Sequence, residues 1–95
     1  MRKYELMMIL NPEIGDAAHK TLLKEIKTEI ATTGAKVEKE DIWGVKDLAY
    51  KINNSKTGYY VLFTLTLEKG DFFAVTKDFN IKKDIWRHMF VKLED

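Results

Sequence analysis

Lys56-Thr57-Gly58-Tyr59-Tyr60-Val61-Leu62-Phe63 carries the residue types with which a β-strand can stack unpaired nucleic-acid bases. The chemistry needs a cation, a glycine and outward aromatics alternating along one strand, followed by valine and a last aromatic. Aligning Val61 on that valine places Phe63 on the last aromatic and Tyr60 on the second stacking position, but Gly58 where the first stacking ring belongs. The first strand offers no ring in compensation, because Tyr4 has the parity of the core. Stacking across the sheet centre is therefore not expected.

Other chemistry is thinly supplied. The chain has 95 residues, two histidines and no cysteine, so disulfides, thiolate zinc sites and cysteine nucleophiles are excluded and no metal site is expected. Phosphoryl chemistry on a small α+β domain would call for a glycine-rich cradle after the first strand and a fixed arginine. The loop there reads Asn11-Pro12-Glu13-Ile14-Gly15, with one acid and one glycine. His19 and His88 have no adjacent serine or cysteine nucleophile and read as structural. No catalytic residue, cofactor or small-molecule substrate is expected.

Hydrophobic residues make up 45% of the chain and charged residues 33%, the balance of a soluble globular fold. Residues 1–95 fit one domain. The apolar start is broken by Glu5 and reads as a strand rather than a signal peptide, and no run reaches the roughly 20 apolar residues of a membrane span. The absence of cysteine suits a reducing cytoplasm. With a formal net charge of +1, any nucleic-acid site must be a local patch, drawn from Arg2, Lys3, Lys46, Lys51, Lys82, Lys83, Arg87 and Lys92.

The elements that would carry these residues follow from periodicity. Residues 4–10 are apolar on both parities, as in a central strand. Between Asp16 and Thr33, Ala18, Leu22, Ile26 and Ile30 recur at helical spacing, with Asp16 as N-cap and Gly34 as left-handed stop. Residues 35–52 alternate, with a break at Gly44. Asn53 to Gly58 reads as a hairpin connection into a strand over 59–68. A short helix should begin near Gly70-Asp71 and stop at Asn80, and residues 85–93 close the chain as a strand. The order βαββαβ with right-handed crossovers is the ferredoxin-like split βαβ of the α+β class. It gives a four-stranded antiparallel sheet in spatial order 4-1-3-2, with both helices on one face.

Parity then separates core from open face. Tyr4, Leu6, Met8 and Leu10 join Tyr59, Val61, Phe63 and Leu65 inside. Glu5, Met7 and Ile9 join Tyr60, Leu62, Thr64 and Thr66 outside. For the last strand two parities stay open: Met89 and Val91 outward with Arg87, or those three inward with Trp86, His88 and Phe90 outward. Either way the open face is apolar and calls for a cover.

Four segments, MRKYELMMILNP, GAKVEKEDIWGVKDLAYKI, GYYVLFTL and DIWRHMFVK, together resemble the bacterial small-subunit ribosomal protein number six family over almost the whole chain. The tryptophan-glycine and leucine-alanine-tyrosine combination followed by Gly58-Tyr59-Tyr60 is the specific part. That resemblance implies no enzymatic activity, a place in the cytoplasmic ribosome, and binding to the central domain of small-subunit rRNA. It also implies a monomer when alone that forms a heterodimer with small-subunit ribosomal protein number eighteen. Carried over by position, it assigns Lys46, Leu48, Tyr50, Tyr60 and Leu62 to the partner surface. It assigns Arg2, Lys3, Arg87 and Lys92 to RNA, as one cationic patch at a sheet end. Asp47 beside Lys46 dilutes the charge of the hairpin, and the long acidic tail of some relatives has no counterpart after Leu93-Glu94-Asp95. Fold alone leaves a second reading, a ligand-binding regulatory module that homodimerises through its sheet.

Overall fold

Leu6, Met8 and Leu10, at alternate positions of the first strand, are sealed from solvent, and the fold is built on them. The computed structural model describes residues 2–70 and 72–93. Asp71, where the sequence places the start of the second helix, and the chain end at Glu94-Asp95 lie outside the described residues. The elements are β1 (Arg2–Leu10), α1 (Asp16–Thr32), β2 (Lys36–Ile52), β3 (Ser55–Leu67), α2 (Phe73–Ile81) and β4 (Ile85–Lys92). The sheet order is β2-β3-β1-β4, with all neighbours antiparallel, which is the expected ferredoxin-like arrangement.

Cross-strand register confirms the parity of the two central strands. Leu6 lies opposite Phe63 and Met8 opposite Val61, while Met7 lies opposite Leu62 and Ile9 opposite Tyr60. The first set packs with Leu22, Leu23, Ile26 and Ile30 of α1 and Val75 and Phe79 of α2 in one core. Burying each such side chain is worth roughly 1.5–3 kcal/mol, so the helices are held by this face of the sheet. The last strand resolves the open alternative. Phe90 lies opposite Leu6 and His88 opposite Met8, on the core side, where Phe90 stacks on Phe72 at 4.5 Å and His88 meets Phe79 edge-on at 5.5 Å. Arg87, Met89 and Val91 face outward opposite Ile9, Met7 and Glu5.

Local expectations differ at four points. Gly15, with φ 86°, occupies the N-cap of α1 and Asp16 is the first helical residue, so the aspartate favours the helix dipole without capping it by a side-chain hydrogen bond. The buried face of α1 takes in His19 rather than Ala18, which is exposed. The imidazole has a partner there: its Nε2–H donates to the Asn11 carbonyl at 2.8 Å and its ring stacks on Tyr59 at 3.8 Å. Helix α2 runs through Asn80 to Ile81 and ends on an extended Lys82, so Asn80 is not a left-handed stop. The hairpin connection shortens to Asn53 and Asn54, both left-handed at φ 51° and 64°, a geometry whose twist matches the flanking strands.

Gly58 is buried between β1 and β2 on the open side. A Cβ there would stand 2.5 Å from Ile9 Cγ2 and 3.2 Å from Leu48 Cδ2. The two side chains close over the glycine, which explains why a stacking ring has no room at this position. Gly58→Ala should cost about 1–3 kcal/mol, the usual range for overpacking, and lower the urea midpoint without changing the slope. An unchanged midpoint would mean that the Ile9 and Leu48 side chains give way freely.

Candidate interaction surface on the open sheet face

Strand β2 is the edge strand and pairs with β3 alone, and because β1 stops at Leu10 opposite Tyr59, the far part of the β2–β3 hairpin extends beyond the sheet. Three register shifts break it, between Val37 and Lys39, between Ile42 and Gly44, and between Asp47 and Ile52. The sequence pointed to the second of these alone, through Gly44, whose φ is 79°. The third is the widest, because Asp47 lies opposite Thr57 and Ile52 opposite Ser55, leaving Leu48 to Lys51 to arch out of the ladder. The arch turns over the open face. Leu48 reaches Gly58 and Ile9, and Tyr50 reaches Arg87, whose guanidinium lies 5.5 Å from the ring centroid.

Beneath Tyr50, the side chains of Met7, Ile9, Arg87 and Met89 enclose a groove of about 310 Å3. Further along the face, Tyr60 and Leu62 stand half-buried between the rows of β1 and β2. Lys46 shares their face, since it lies opposite Gly58. The five residues assigned to a partner surface, Lys46, Leu48, Tyr50, Tyr60 and Leu62, therefore lie on one side of the sheet. Met89 is 57% exposed and Tyr50 63%, so the apolar material is presented to solvent rather than sealed.

Trp43 belongs to this surface, although the sequence reading uses it only for the resemblance and assigns it no place there. The shift at Gly44 sets its indole parallel to Tyr60, with centroids 6.3 Å apart. The signal was the tryptophan immediately before a glycine that breaks the alternation.

The four cations assigned to RNA do not form one patch. Arg87 lies opposite Ile9 on the open face, whereas Lys92 lies opposite Tyr4 with the parity of the core. Five residues of strand separate them by about 16 Å. Arg2 and Lys3 share the end of Lys92, opposite Leu67 and Thr66. Of these, Lys3 has open-face parity, while Arg2 has core parity and donates to the Gly70 carbonyl at 3.3 Å. The correction is one of strand period, since an odd spacing of five within β4 puts Arg87 and Lys92 on opposite faces and at opposite ends.

Among the described residues two titrating groups are displaced. Burial pushes the His88 imidazole below its ordinary value. Burial, followed by the Asp16 and Glu40 carboxylates, raises the Tyr59 phenol. Among the described residues no group of three or more His, Cys, Asp or Glu is placed to hold a metal ion, and no helix is long and apolar enough to cross a membrane.

Comparison with known proteins gives the family and the fold. A family model described as ribosomal protein S6 matches residues 3–92. The small ribosomal subunit protein bS6 of Fusobacterium nucleatum is 34% identical, over 97% of this chain and 98% of its own. That of Desulforamulus reducens is 37% identical over 97% of each chain. The crystal structure of 30S ribosomal protein S6 from Thermotoga maritima superposes with a TM-score of 0.91 at 20% identity, covering 97% of this chain and 87% of that one.

His88 gives the fold a measurable pH dependence. Its depressed value means that the unfolded chain takes up the proton first, so stability is full above about pH 6.5 and declines as pH falls through that value toward the lower folded one. Thermal melts between pH 7.5 and 5 should show a smaller decline for His88→Gln than for the unaltered chain. Parallel declines would remove His88 as the source.

Proposed function

Because the chain belongs to the ribosomal protein S6 family, a component of the small ribosomal subunit and not an enzyme, we propose that it binds the central domain of small-subunit rRNA as a heterodimer with small-subunit ribosomal protein number eighteen. Its place is then the cytoplasmic ribosome. The observation that carries the reading is the open face: Met7, Ile9, Leu62 and Met89 form one apolar surface with Tyr50 and Arg87 above it.

The physical argument runs from burial to charge. A partner laid over this face removes apolar area from water at about 25 cal/mol per Å2, less the cost of ordering the two chains. Lys46 and Arg87 at its edge have exposed charges that a nucleic-acid backbone would attract. Arg2, Lys3 and Lys92 are a second point of contact at the other end of the sheet. Phosphate contacts of this kind position an RNA but read no sequence, and a few alone are weak. A basic partner seated beside Arg87 adds its own cations to the same backbone. Pairing and RNA binding then reinforce each other by one common factor, as linkage requires. The chain alone is a monomer in this reading; a sheet-to-sheet homodimer is what the regulatory-module alternative requires.

Gel shifts with a central-domain rRNA fragment test it. The pair should bind at concentrations where the chain alone does not, and binding by neither, with a homodimer in solution, would overturn the reading. Tyr60→Asp should abolish pairing while the thermal midpoint stays near that of the unaltered chain, because the charge is placed on the covered face and not in the core. A melted variant would count against that placement. Arg87→Ala should weaken RNA binding and reduce the salt slope by about 0.7–0.9, the change expected when one fewer phosphate is neutralised. An unchanged slope would exclude Arg87 from the RNA interface.

A further inference from the structure

Beyond the tip of the β2–β3 hairpin lies a second concavity that the partner surface does not use. It is a cleft of about 680 Å3 between the hairpin tip, the loop after β1 and the loop before β4. Three features give it a defined chemistry. The first is Trp86. Ile9 lies opposite Arg87 and Leu10 opposite Ile85, so Trp86 is the extra residue of a β-bulge, and its side chain lines the cleft. Bulges of this kind re-aim one side chain out of a regular ladder. The second is a fixed floor. Asn11 N–H donates to the Asp84 carbonyl at 2.8 Å, its Nδ2 donates to Asp84 Oδ1 at 3.2 Å, and its own Oδ1 accepts the Glu13 N–H at 3.0 Å. The third is the left-handed pair Asn53 and Asn54, which forms the opposite rim in a tight turn.

The charges at the cleft are balanced, Lys56 and Lys83 against Glu13 and Asp84. A bare phosphate would gain little there. A neutral, planar group with donors and acceptors on its edge fits better: an aromatic wall for its face, amides and a carboxylate for its edge, and two lysines for the phosphates on either side. A volume of this size suits a single nucleotide rather than a helical segment.

We infer that this cleft receives one unstacked nucleotide of the bound RNA, its base against Trp86 and its edge toward Asn53, Asn54 and the Asp84 carboxylate. The inference rests on the RNA-binding reading above and adds to it a contact that can sense base identity, which backbone cations cannot. Trp86 would supply the stacking and Asp84 would accept from ring N–H or amino groups, a role it can fill beyond its bond to Asn11.

The test separates the two readings. The chain has two tryptophans, so 5-fluorotryptophan labelling gives two 19F resonances, and the one missing from Trp86→Phe is that of Trp86. Adding the central-domain rRNA fragment to the labelled protein pair should shift that resonance, whereas adenosine monophosphate at the same concentration should not. In gel shifts of the pair, Trp86→Ala should lower affinity about 5- to 160-fold, the range expected for removing one stacked base, and Trp86→Phe should recover most of it. RNA bound by the pair with an unmoved resonance and an unchanged Trp86→Ala affinity would overturn the inference while leaving the RNA-binding reading intact. A shift produced by the mononucleotide, with Trp86→Ala binding RNA normally, would overturn it in favour of a free nucleotide. No RNA binding by the pair would overturn both.

Discussion

A four-stranded sheet whose two crossover helices lie on the same side has to leave its other side to water or to another molecule. Everything distinctive in this chain is arranged around that constraint. The residues facing the helices are those of an ordinary core, with Leu6, Met8, Val61, Phe63 and Phe79 sealed from solvent. The residues facing away are Met7, Ile9, Tyr60, Leu62 and Met89, too apolar for a surface that stays bare. A chain selected only to fold would place threonine and lysine there, as it does at Lys3 and Thr64 nearer the other end.

The long hairpin modifies this face rather than extending it. Its arch at Leu48 to Lys51 folds back because Gly58 offers no Cβ to oppose Leu48 and Ile9. One missing side chain in β3 thus sets the position of Tyr50 over Arg87, and with it the depth of the groove between them. A second bulge, in β4, does the same for Trp86 at the sheet end. Both irregularities turn aromatic rings out of the ladder toward places where another molecule could meet them. The aromatic chemistry first suggested by Lys56 to Phe63 is thereby displaced from the sheet centre to its margins.

How much of this the sequence discloses depends on whether a feature is local. The parity of β1 is marked by Glu5 and that of β3 by Thr64 and Thr66, each set on one side of its strand, and Gly44 and Gly34 mark the break in β2 and the stop of α1 by residue type. The outward parity of Arg87, Met89 and Val91 could not be chosen in that way, because β4 is apolar on both parities and only its pairing with Leu6 and Met8 decides. The cations differ: an odd spacing of five along β4 is by itself enough to put Arg87 and Lys92 on opposite faces and at opposite ends, and the single patch expected of them did not follow that spacing. His19 reads as a polar helix residue until Asn11 and Tyr59, distant in sequence or on another strand, supply a hydrogen bond and a stacking ring. Features that depend on one element were legible, and those that depend on how two elements meet were not.

The central claim is that the face away from the helices is the one that becomes covered, and the methionines can report on it directly. Met7 and Met89 lie opposite each other on the open face, while Met8 is fully buried beneath the helices. With 13C-methyl-labelled methionine, addition of the basic partner protein should move the Met7 and Met89 methyl resonances and leave that of Met8 nearly in place. Movement of Met8 with Met7 and Met89 unmoved would place the partner on the helical side and contradict the account.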